Sequence, residues 1–310
     1  MSNKHDLGKV AVLAGGPSRE RDISLRSGKA VYDALKKENI DVILLEMWDN
    51  IEDVLCEFKF DVAFIALHGR FGEDGTVQRA LDHAGIPYTG SGPEASSQAL
   101  DKIAAKRIFA NSCIPTPHYV AFERGLTSIE DVYNFGMPLV VKPQFEGSSI
   151  GLGIVRHRDE LAEALEHGLK FDNRLLIEEF VDGRELTVGI LDEKALPVVE
   201  IVPKNRIYDY SAKYNDPDTR YLAPAPLDKR ISDEAKSIGE KAHAALGCRS
   251  FSRVDMMLDR SGALFVLEVN TIPGMTERSL LPKAAAASGI EFSRLCIKLV
   301  ENALNKKGSR

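Results

Sequence analysis

The sequence predicts a mixed fold that opens with an α/β unit on a parallel sheet and continues as α+β. Three observations support this prediction. Apolar runs of strand length alternate with segments of helical spacing from residue 9 to residue 84, as in parallel sheets that helices cover on both faces. A loop rich in glycine and serine follows a short apolar run at residues 138–143. Farther along, two apolar runs flank Gly262, which is typical of a hairpin.

The first unit contains three predicted strands and two predicted helices. Its first strand ends at Gly15-Gly16. Leu25, Val31 and Leu35 then recur at helical spacing, which indicates one buried helix face. In chain order, the predicted elements are a strand at 9–14, a helix at 23–37, strands at 41–45 and 61–67, and a helix at 75–84.

The rest of the chain carries shorter strands and longer connections. One long helix is predicted from Pro93 to Asn111, with Lys102 inside it. Residues 204–230 are polar and rich in Tyr, Asp and Pro, and so long a loop in a compact chain is usually functional or disordered. The other predicted elements are strands at 138–143, 174–180, 185–191 and 196–202, helices at 159–169 and 232–246, the hairpin, and two C-terminal helices.

Composition excludes several classes of protein. A chain of 310 residues is long enough for about two domains, or three small ones. Forty Lys and Arg against 46 Asp and Glu give a net charge of −6, which disfavours nucleic acid and anionic membranes as partners. The four cysteines form no CxxC pair, and no apolar run approaches the ~20 residues of a membrane span. We therefore expect a soluble, cytoplasmic protein with free thiols.

The segment Phe251–Asn270 carries the strongest chemical signal. Alternation along a strand places Arg253 and Asp255 on one face, and Glu268 and Asn270 on one face of the following strand. Two carboxylates and an amide oxygen suit Mg²⁺, which binds few protein carboxylates together with substrate phosphates. A guanidinium beside them suits a phosphate or an oxyanion. The alternative interpretation is a surface ion pair between Arg253 and Glu268.

The register of this hairpin is also predicted from its turn. A tight turn over residues 259–262 places all the polar groups on one face, whereas a shift of one residue would send a carboxylate into the core. The expected pairs are Asp259–Gly262, Arg253–Glu268 and Asp255–Val266, and the expected apolar face of the second strand holds Phe265, Leu267 and Val269.

Three loops contain further candidate binding groups. Lys142 precedes the glycine-rich loop Glu146–Gly153, and an ammonium group beside free backbone N–H groups can hold phosphate oxygens; a mobile linker is the alternative. Segments Gly16–Glu20 and His68–Gly75 follow the first and third predicted strands. Ligands of parallel sheets bind at the carboxyl ends of the strands, so we expect these two segments to converge on a substrate site. An ordinary helix start is the alternative for His68–Gly75.

A series of motifs extends over nearly the whole chain: Gly15–Glu20, His68–Gly75, Pro87–Gly92, Asp101-Lys102, Lys142-Pro143, Glu146–Ser149, Tyr208–Tyr214, Arg253–Asp255, Leu267–Met275 and Ser279-Leu280. In this order the motifs resemble those of the D-alanine–D-alanine ligases of the ATP-grasp superfamily. The resemblance implies an N-terminal Rossmann-like α/β substrate domain at 1–92, a central ATP-grasp domain at 93–182, and a C-terminal ATP-grasp domain at 183–310 with the metal site and a closing loop at 204–224.

The resemblance also implies a reaction. ATP would phosphorylate the carboxylate of one D-alanine, and the amine of a second D-alanine would attack the acyl phosphate. The products would be D-alanyl-D-alanine for peptidoglycan precursors, ADP and phosphate. Two Mg²⁺ ions, with Mn²⁺ as a substitute, and a homodimer belong to the same expectation. A closing loop would keep water from the acyl phosphate, which it would otherwise hydrolyse.

Residue roles follow from the resemblance in the same way. Asp255, Glu268 and Asn270 would hold the metal ions. ATP would contact Lys102, Lys142, Glu178, Glu179, Phe180, Val181, Glu185, Lys213 and Asn270. D-alanine would contact Glu20, His68, Tyr214, Ser279 and Leu280. Catalysis would involve Ser279, the Arg253 guanidinium and the Gly274 N–H at the oxyanion, and a Glu20–Ser148–Tyr214 triad that closes the site.

Two alternatives remain open at this point. A D-alanine–D-lactate ligase would share the fold and accept a hydroxyl group in place of an amine, although Tyr214 within its motif favours the dipeptide enzyme. A non-catalytic ATP-binding module is the other alternative. The presence of Asp255, Glu268, Asn270, Arg253 and Lys213 argues against it, whereas the loss of a metal ligand would have favoured it.

Overall fold

The computed structural model describes residues 7–203 and 219–305, and its first sheet is the parallel sheet that the sequence predicts. The strand order is β2-β1-β3, and the central strand is buried along its whole length. Helix α1 packs on this sheet through Val31 and Leu35. The elements are β1 (Val10–Gly15), α1 (Arg21–Lys37), β2 (Val42–Met47), α2 (Ile51–Glu57), β3 (Val62–Ile65) and α3 (Thr76–His83).

The second sheet is antiparallel, with strand order β4-β7-β5-β6. Its inner face packs on two helices through a small core that includes Val132, Val141 and Leu165. The alternation along β5 leaves Val140 and Lys142 on the other face. The elements are β4 (Tyr119–Glu123), α6 (Ile129–Asn134), β5 (Leu139–Pro143), β6 (Gly153–Val155), α7 (Leu161–Gly168) and β7 (Arg174–Glu179).

The third sheet has the order β11-β10-β8-β12-β13, with β9 paired to β8. The prediction of a closing loop at 204–224 is wrong at its C-terminal end, because residues 220–222 form strand β11 of this sheet. The elements are β8 (Gly183–Leu191), β9 (Lys194–Ala195), β10 (Val199–Val202), β11 (Arg220–Leu222), α8 (Lys229–Ala245), β12 (Phe251–Asp259), β13 (Leu264–Asn270), α9 (Leu280–Ala287) and α10 (Phe292–Asn305).

The prediction of one long helix over residues 93–111 is wrong, because the segment forms two helices. They are α4 (Pro93–Leu100) and α5 (Lys102–Asn111). Asp101 leaves helical geometry at ψ 95°, and its Oδ1 accepts hydrogen bonds from the N–H groups of Ile103 and Ala104 at 3.0 Å each. An aspartate in this position caps a new helix. Lys102 is therefore the first residue of α5 and does not lie inside a helix.

The predicted register of the hairpin is also wrong. The observed pairs are Arg253–Asn270, Asp255–Glu268 and Met256–Val266, with a shift between Asp255 and Met256. The turn is longer than predicted, since the N–H of Asp259 donates to the carbonyl of Ala263 at 2.9 Å. Leu267 is then an additional residue in β13, that is, a β-bulge.

The two changes of register cancel for the polar groups. The longer turn alone would send Glu268 to the apolar face, because each one-residue shift reverses the faces. The bulge at Leu267 reverses them again, so Glu268 lies opposite Asp255. Leu267 itself moves from the predicted apolar core to the face that carries the carboxylates.

The loops of the first and second sheets contact each other. Arg70 Nη2 lies 2.9 Å from Asp172 Oδ1, and its guanidinium lies 5.2 Å from the ring centre of Phe145. Arg19 lies 5.1 Å from the ring centre of Phe171. These contacts hold the glycine-rich loop of the second sheet against the carboxyl ends of the first. The boundaries proposed at 92/93 and 182/183 stay predictions.

Two general features complete the fold. In the part of the chain that the structure describes, no helix combines the length and the apolar character needed to cross a bilayer. All four cysteines are free thiols; Cys56 and Cys113 are exposed, whereas Cys248 and Cys296 are buried.

Candidate functional site

A cavity of about 530 Å³ lies between the second and third sheets. Its walls combine apolar side chains, such as Val140, Ile154, Met257 and Leu267, with charged groups. Ten of the predicted site residues line it: Lys102, Lys142, Ser148, Glu178, Glu179, Phe180, Val181, Glu185, Asp255 and Glu268. A flat apolar group and a chain of anionic groups could both be accommodated there.

The cap at Asp101 positions a lysine at one end of the cavity. Lys102 Nζ donates to the carbonyl oxygen of Glu146 at 2.6 Å and lies 3.9 Å from Glu268 Oε2. The backbone N–H of Lys102 donates to the carbonyl of Gln144 at 3.2 Å. Helix α5 is thus fixed to the start of the glycine-rich loop, and its first side chain joins that loop to the hairpin carboxylate.

A buried carboxylate lies between two lysines at the wall of the cavity. Glu178 on β7 contacts Lys142 on β5 through one oxygen and Lys106 on α5 through the other. Burial alone would raise the pKa of Glu178, but the two ammonium groups outweigh it and lower that pKa. Burial likewise opposes the charge on Lys142, yet Glu178, Glu268 and Glu185 together raise its pKa. Both groups of this pair are therefore charged at neutral pH.

The hairpin brings its oxygen ligands together. Asp255 accepts a bidentate contact from Arg253 at 2.8 and 2.6 Å, a hydrogen bond from the Thr187 hydroxyl at 2.8 Å, and one from the Asn270 amide at 3.1 Å. Glu268 lies directly across the hairpin. Within residues 7–203 and 219–305, no three His, Cys, Asp or Glu side chains form a metal-binding group. Two carboxylates and an amide suit Mg²⁺ that takes its other ligands from phosphate oxygens.

The glycine-rich loop meets the first sheet at Glu20. The Ser148 hydroxyl donates to Glu20 Oε1, and Glu20 is only 8% exposed. A Cβ atom at Gly147 would lie 2.5 Å from Glu20 Oε2, so only glycine permits this approach. Ser148 holds a positive φ of 50°, a region that residues other than glycine rarely adopt. The segment Gly16–Glu20 is thus joined to the cavity through the contact between Glu20 and Ser148.

His68 lies at the end of the first sheet as a neutral group. Its Nε2 lies 3.2 Å from the Ser27 hydroxyl, and the Ser18 hydroxyl donates to its carbonyl oxygen at 2.6 Å. Burial, with a smaller contribution from the positive charge of Arg253, lowers the pKa of His68 to about 4. The imidazole can therefore donate or accept one hydrogen bond at neutral pH but carries no charge.

The segment after the hairpin contains the last predicted site residues. A Cβ atom at Gly274 would lie 3.0 Å from Ser279 Oγ, which accepts a hydrogen bond from the N–H of Thr276 at 3.1 Å. The N–H of Met275 donates to Ser27 at 3.2 Å and ties this segment to α1. Leu280 begins α9 and packs into the core of the first and third sheets.

The predicted residues therefore form two neighbouring groups, one that lines the cavity and one that lies outside it. Three residues of the second group contact the first: Arg253 and Asn270 contact Asp255, and Glu20 contacts Ser148. The other predicted residues on the side of the first sheet or after the hairpin are His68, Gly274, Ser279 and Leu280. Lys213 and Tyr214 lie outside the described residues.

Known proteins resemble this chain along its length. A family model described as the D-ala D-ala ligase N-terminus matches residues 9–55 and 48–91, and the model of the C-terminus matches residues 108–301. A D-alanine–D-alanine ligase of Citrifermentans bemidjiense is 48% identical over 296 residues, which are 95% of this chain and 96% of that protein. The chain belongs to the D-alanine–D-alanine ligase family.

Solved structures of the ligase family share the fold. A D-alanine–D-alanine ligase from Bacillus anthracis superimposes with a TM-score of 0.88 at 35% identity, covering 97% of this chain and 99% of the other. The same organism's ligase in complex with ATP gives a TM-score of 0.86 at 32% identity, with the same coverage. The resemblance seen in the motifs is thus confirmed, and so is the predicted three-domain α/β fold class.

Several residues of this ligase-family site escape the sequence analysis. Lys106 and Glu73 are buried ionisable groups, and Thr187 orients Asp255. The i,i+4 spacing of Lys102 and Lys106 would have been a signal, since such residues share one helix face. Leu267 reaches the cavity only because of the bulge, and the sequence carries no clear sign of the bulge.

Glu73 is a buried acid whose titration affects folding. Its carboxylate accepts a hydrogen bond from the N–H of Gly69 at 2.6 Å. Burial, followed by the negative charge of Glu20, raises its pKa from 4.5 to about 8. The native state therefore retains a proton that the unfolded chain releases, so the free energy of unfolding should fall as the pH rises from 4.5 to 8.

We predict that Glu73→Gln melts at a higher temperature than the parent protein at pH 8 and that this difference vanishes toward pH 4.5. The variant keeps an oxygen for Gly69 but has no proton to lose. Thermal unfolding across this pH range measures the effect. Glu52→Gln, at an exposed position on α2, is the control and should follow the parent curve. Parallel curves for Glu73→Gln and the parent would contradict the prediction.

Proposed function

We propose that this protein is an ATP-dependent ligase that joins two D-alanine molecules into D-alanyl-D-alanine for peptidoglycan precursors in the cytoplasm. The observation that carries the proposal is the convergence of three sets of groups. Phosphate-binding lysines, the oxygen ligands of the hairpin and the Glu20–Ser148 contact all border one cavity. Each set corresponds to one requirement of the reaction: ATP binding, charge neutralisation and placement of an amino acid.

ATP would occupy the cavity between the second and third sheets. The adenine ring would lie between apolar side chains such as Val140, Ile154 and Met257, next to Glu178 and residues 179–181. The ribose would lie near Glu185. The phosphates would reach toward Lys102 and Lys142, because these ammonium groups face the same space, and Lys213 would approach from the closing loop.

Asp255, Glu268 and Asn270 would hold two Mg²⁺ ions. Their oxygen atoms lie on one face of the hairpin, and two carboxylates suit ions that are also bound by phosphates. When bound, the ions would supply neutralisation of the phosphate charge during transfer. The bidentate contact between Arg253 and Asp255 fixes the orientation of one of these carboxylates.

The first D-alanine would lie between the first sheet and the phosphates. Glu20 would accept hydrogen bonds from its ammonium group, with neutral His68 beside it. One oxygen of its carboxylate attacks the γ-phosphorus of ATP, the bond from that phosphorus to the bridging oxygen breaks, and ADP leaves. A carboxylate is a poor electrophile, whereas the resulting acyl phosphate has a good leaving group.

The second D-alanine would bind beside Ser279, Leu280 and Tyr214. Its ammonium group releases one proton to water, the resulting amine nitrogen attacks the carbonyl carbon of the acyl phosphate and gives up a second proton to solvent, and a tetrahedral oxyanion forms. Arg253 and the N–H of Gly274 would stabilise this oxyanion. The C–N bond remains, the bond between carbon and the phosphate oxygen breaks, and inorganic phosphate leaves.

We also infer a homodimer, as the family resemblance implies. Leu44 and Trp48, on and just after the edge strand β2, are 37% and 57% exposed, so the edge of the first sheet has apolar side chains available. A solution mass of one 34.1 kDa chain across micromolar concentrations would contradict this inference.

We predict that the protein releases phosphate from Mg-ATP when D-alanine is added and forms D-alanyl-D-alanine. Asp255→Asn should lower kcat/KM at least about a hundredfold, because one metal ligand and the partner of Arg253 lose their charge. Asp233→Asn, on the surface of α8, is the matched control and should retain activity. Coupled phosphate detection and mass spectrometry of the products make the measurement.

The same assay separates the alternatives. Phosphate release should be absent without D-alanine, and D-lactate added beside D-alanine should give no ester at neutral pH. No release with D-alanine would overturn the proposal. An ester product would instead select a D-alanine–D-lactate ligase.

We predict that Ser148→Ala and Ser148→Gly both raise the KM for D-alanine about tenfold, since each removes a hydrogen bond to a charged carboxylate. Glycine adopts the left-handed backbone at this position at a lower cost than serine or alanine, so equal effects would assign the loss to the hydroxyl. Tyr214→Phe should weaken binding of the second D-alanine in the same direction. Initial rates measured over a range of D-alanine concentrations give the KM of each variant. Unchanged kinetics in all three variants would refute the closing triad.

A further inference from the structure

Lys106 is a buried charged residue behind the cavity. It lies one turn after Lys102 on α5, and its side chain is fully buried. Unlike Lys102 and Lys142, it does not line the cavity. Its Nζ contacts the Glu178 carboxylate and the Thr116 hydroxyl, and it lies 3.2 Å from the carbonyl oxygen of Val266. Three oxygen atoms therefore surround an ammonium group that water does not reach.

These partners belong to both walls of the cavity. Glu178 is on β7 of the second sheet, and Val266 is on β13 of the third sheet. The Thr116 hydroxyl also donates to the Val266 carbonyl at 2.7 Å. Lys106 thus connects the two sheets at the side of the cavity where Glu178 lies.

Lys106 also determines the charge that Lys142 presents. Glu178 carries one negative charge between two ammonium groups, one on each oxygen. Lys106 is fully buried, whereas Lys142 is 14% exposed and faces the cavity. Burial lowers the pKa of Lys106 to about 8, against the opposing effect of Glu178, so Lys106 is mostly protonated at pH 7 and the three groups have a net charge of about +1. Without it, Glu178 and Lys142 would form a neutral pair, and these groups would contribute no net positive charge toward an anionic ligand.

We propose that Lys106 is a positioning residue for nucleotide binding: it neutralises Glu178 from behind and so leaves the charge of Lys142 available to the phosphates. This inference rests on the proposed binding of ATP in the cavity. Lys106 does not touch the nucleotide. It acts through Glu178, whose carboxylate it holds at the wall, and through Lys142, whose charge it leaves uncompensated.

The test measures binding of the β,γ-imido analogue of ATP with Mg²⁺ by titration calorimetry in two variants. Lys106→Met removes the charge and the hydrogen bonds, and Lys106→Gln removes the charge but keeps a donor for the oxygens. We expect the Kd of the analogue to rise at least tenfold in both. In steady-state assays the KM for ATP should rise to match, while the KM for D-alanine and kcat at saturating ATP stay within about threefold.

Arg107→Met is the matched control. It removes the same charge from the next residue of α5, whose side chain is exposed, and should leave the Kd within twofold of the parent value. Thermal unfolding identifies a variant that fails to fold, and the conservative Lys106→Gln then carries the test. An unchanged Kd in a folded Lys106 variant would overturn the inference, as would an equal rise in the KM values for ATP and D-alanine.

The design separates this inference from the proposed function. Calorimetry follows nucleotide binding and does not depend on product formation. A parent protein that binds the analogue but makes no D-alanyl-D-alanine would refute the substrate assignment and leave the role of Lys106 supported. A parent protein that does not bind the analogue would refute both.

Discussion

The antiparallel pairing of β12 with β13 is the constraint on which the site depends. A longer turn and a bulge at Leu267 each shift the register by one residue, and only together do they place Glu268 opposite Asp255. Val254 and Met256 then face α8 in the core, while the carboxylates face the cavity. Since side chains alternate along a strand, the longer turn or the bulge alone would place Glu268 on the apolar face.

Neighbouring charges decide what burial does to each acid of the site. Glu178 and Glu73 are both buried, and burial alone would raise the pKa of each. Two lysines reverse this effect for Glu178, whereas the negative charge of Glu20 adds to it for Glu73. The cavity between the second and third sheets therefore has a charged carboxylate in a positive environment. The carboxyl ends of the first sheet hold one carboxyl that readily takes a proton.

The sequence predicts the parallel sheet, because alternation of strand and helix is a local pattern that the core preserves. It also predicts ten of the residues that line the cavity, since the motifs fix both residue type and order. It misses the break at Asp101, because a capping aspartate and an ordinary helical one look alike until the backbone turns. It misses the bulge at Leu267 and the role of Lys106 for another reason: both depend on pairing between distant segments, which no local pattern records.

The backbone of the glycine-rich loop has a consequence for protein engineering. Ser148 and Ser149 hold φ values of 50° and 60°, a conformation that costs about 1 kcal/mol or more for a residue with a Cβ atom. Glycine at either position would relieve that cost, although it also adds conformational freedom to the unfolded chain. At position 148 the substitution would also delete the hydroxyl that reaches Glu20, and a hydrogen bond to a carboxylate contributes about 1.5–3 kcal/mol. The contact with Glu20 therefore offsets the backbone cost at position 148, and a search for heat resistance has no reason to remove the serine that joins the two halves of the site.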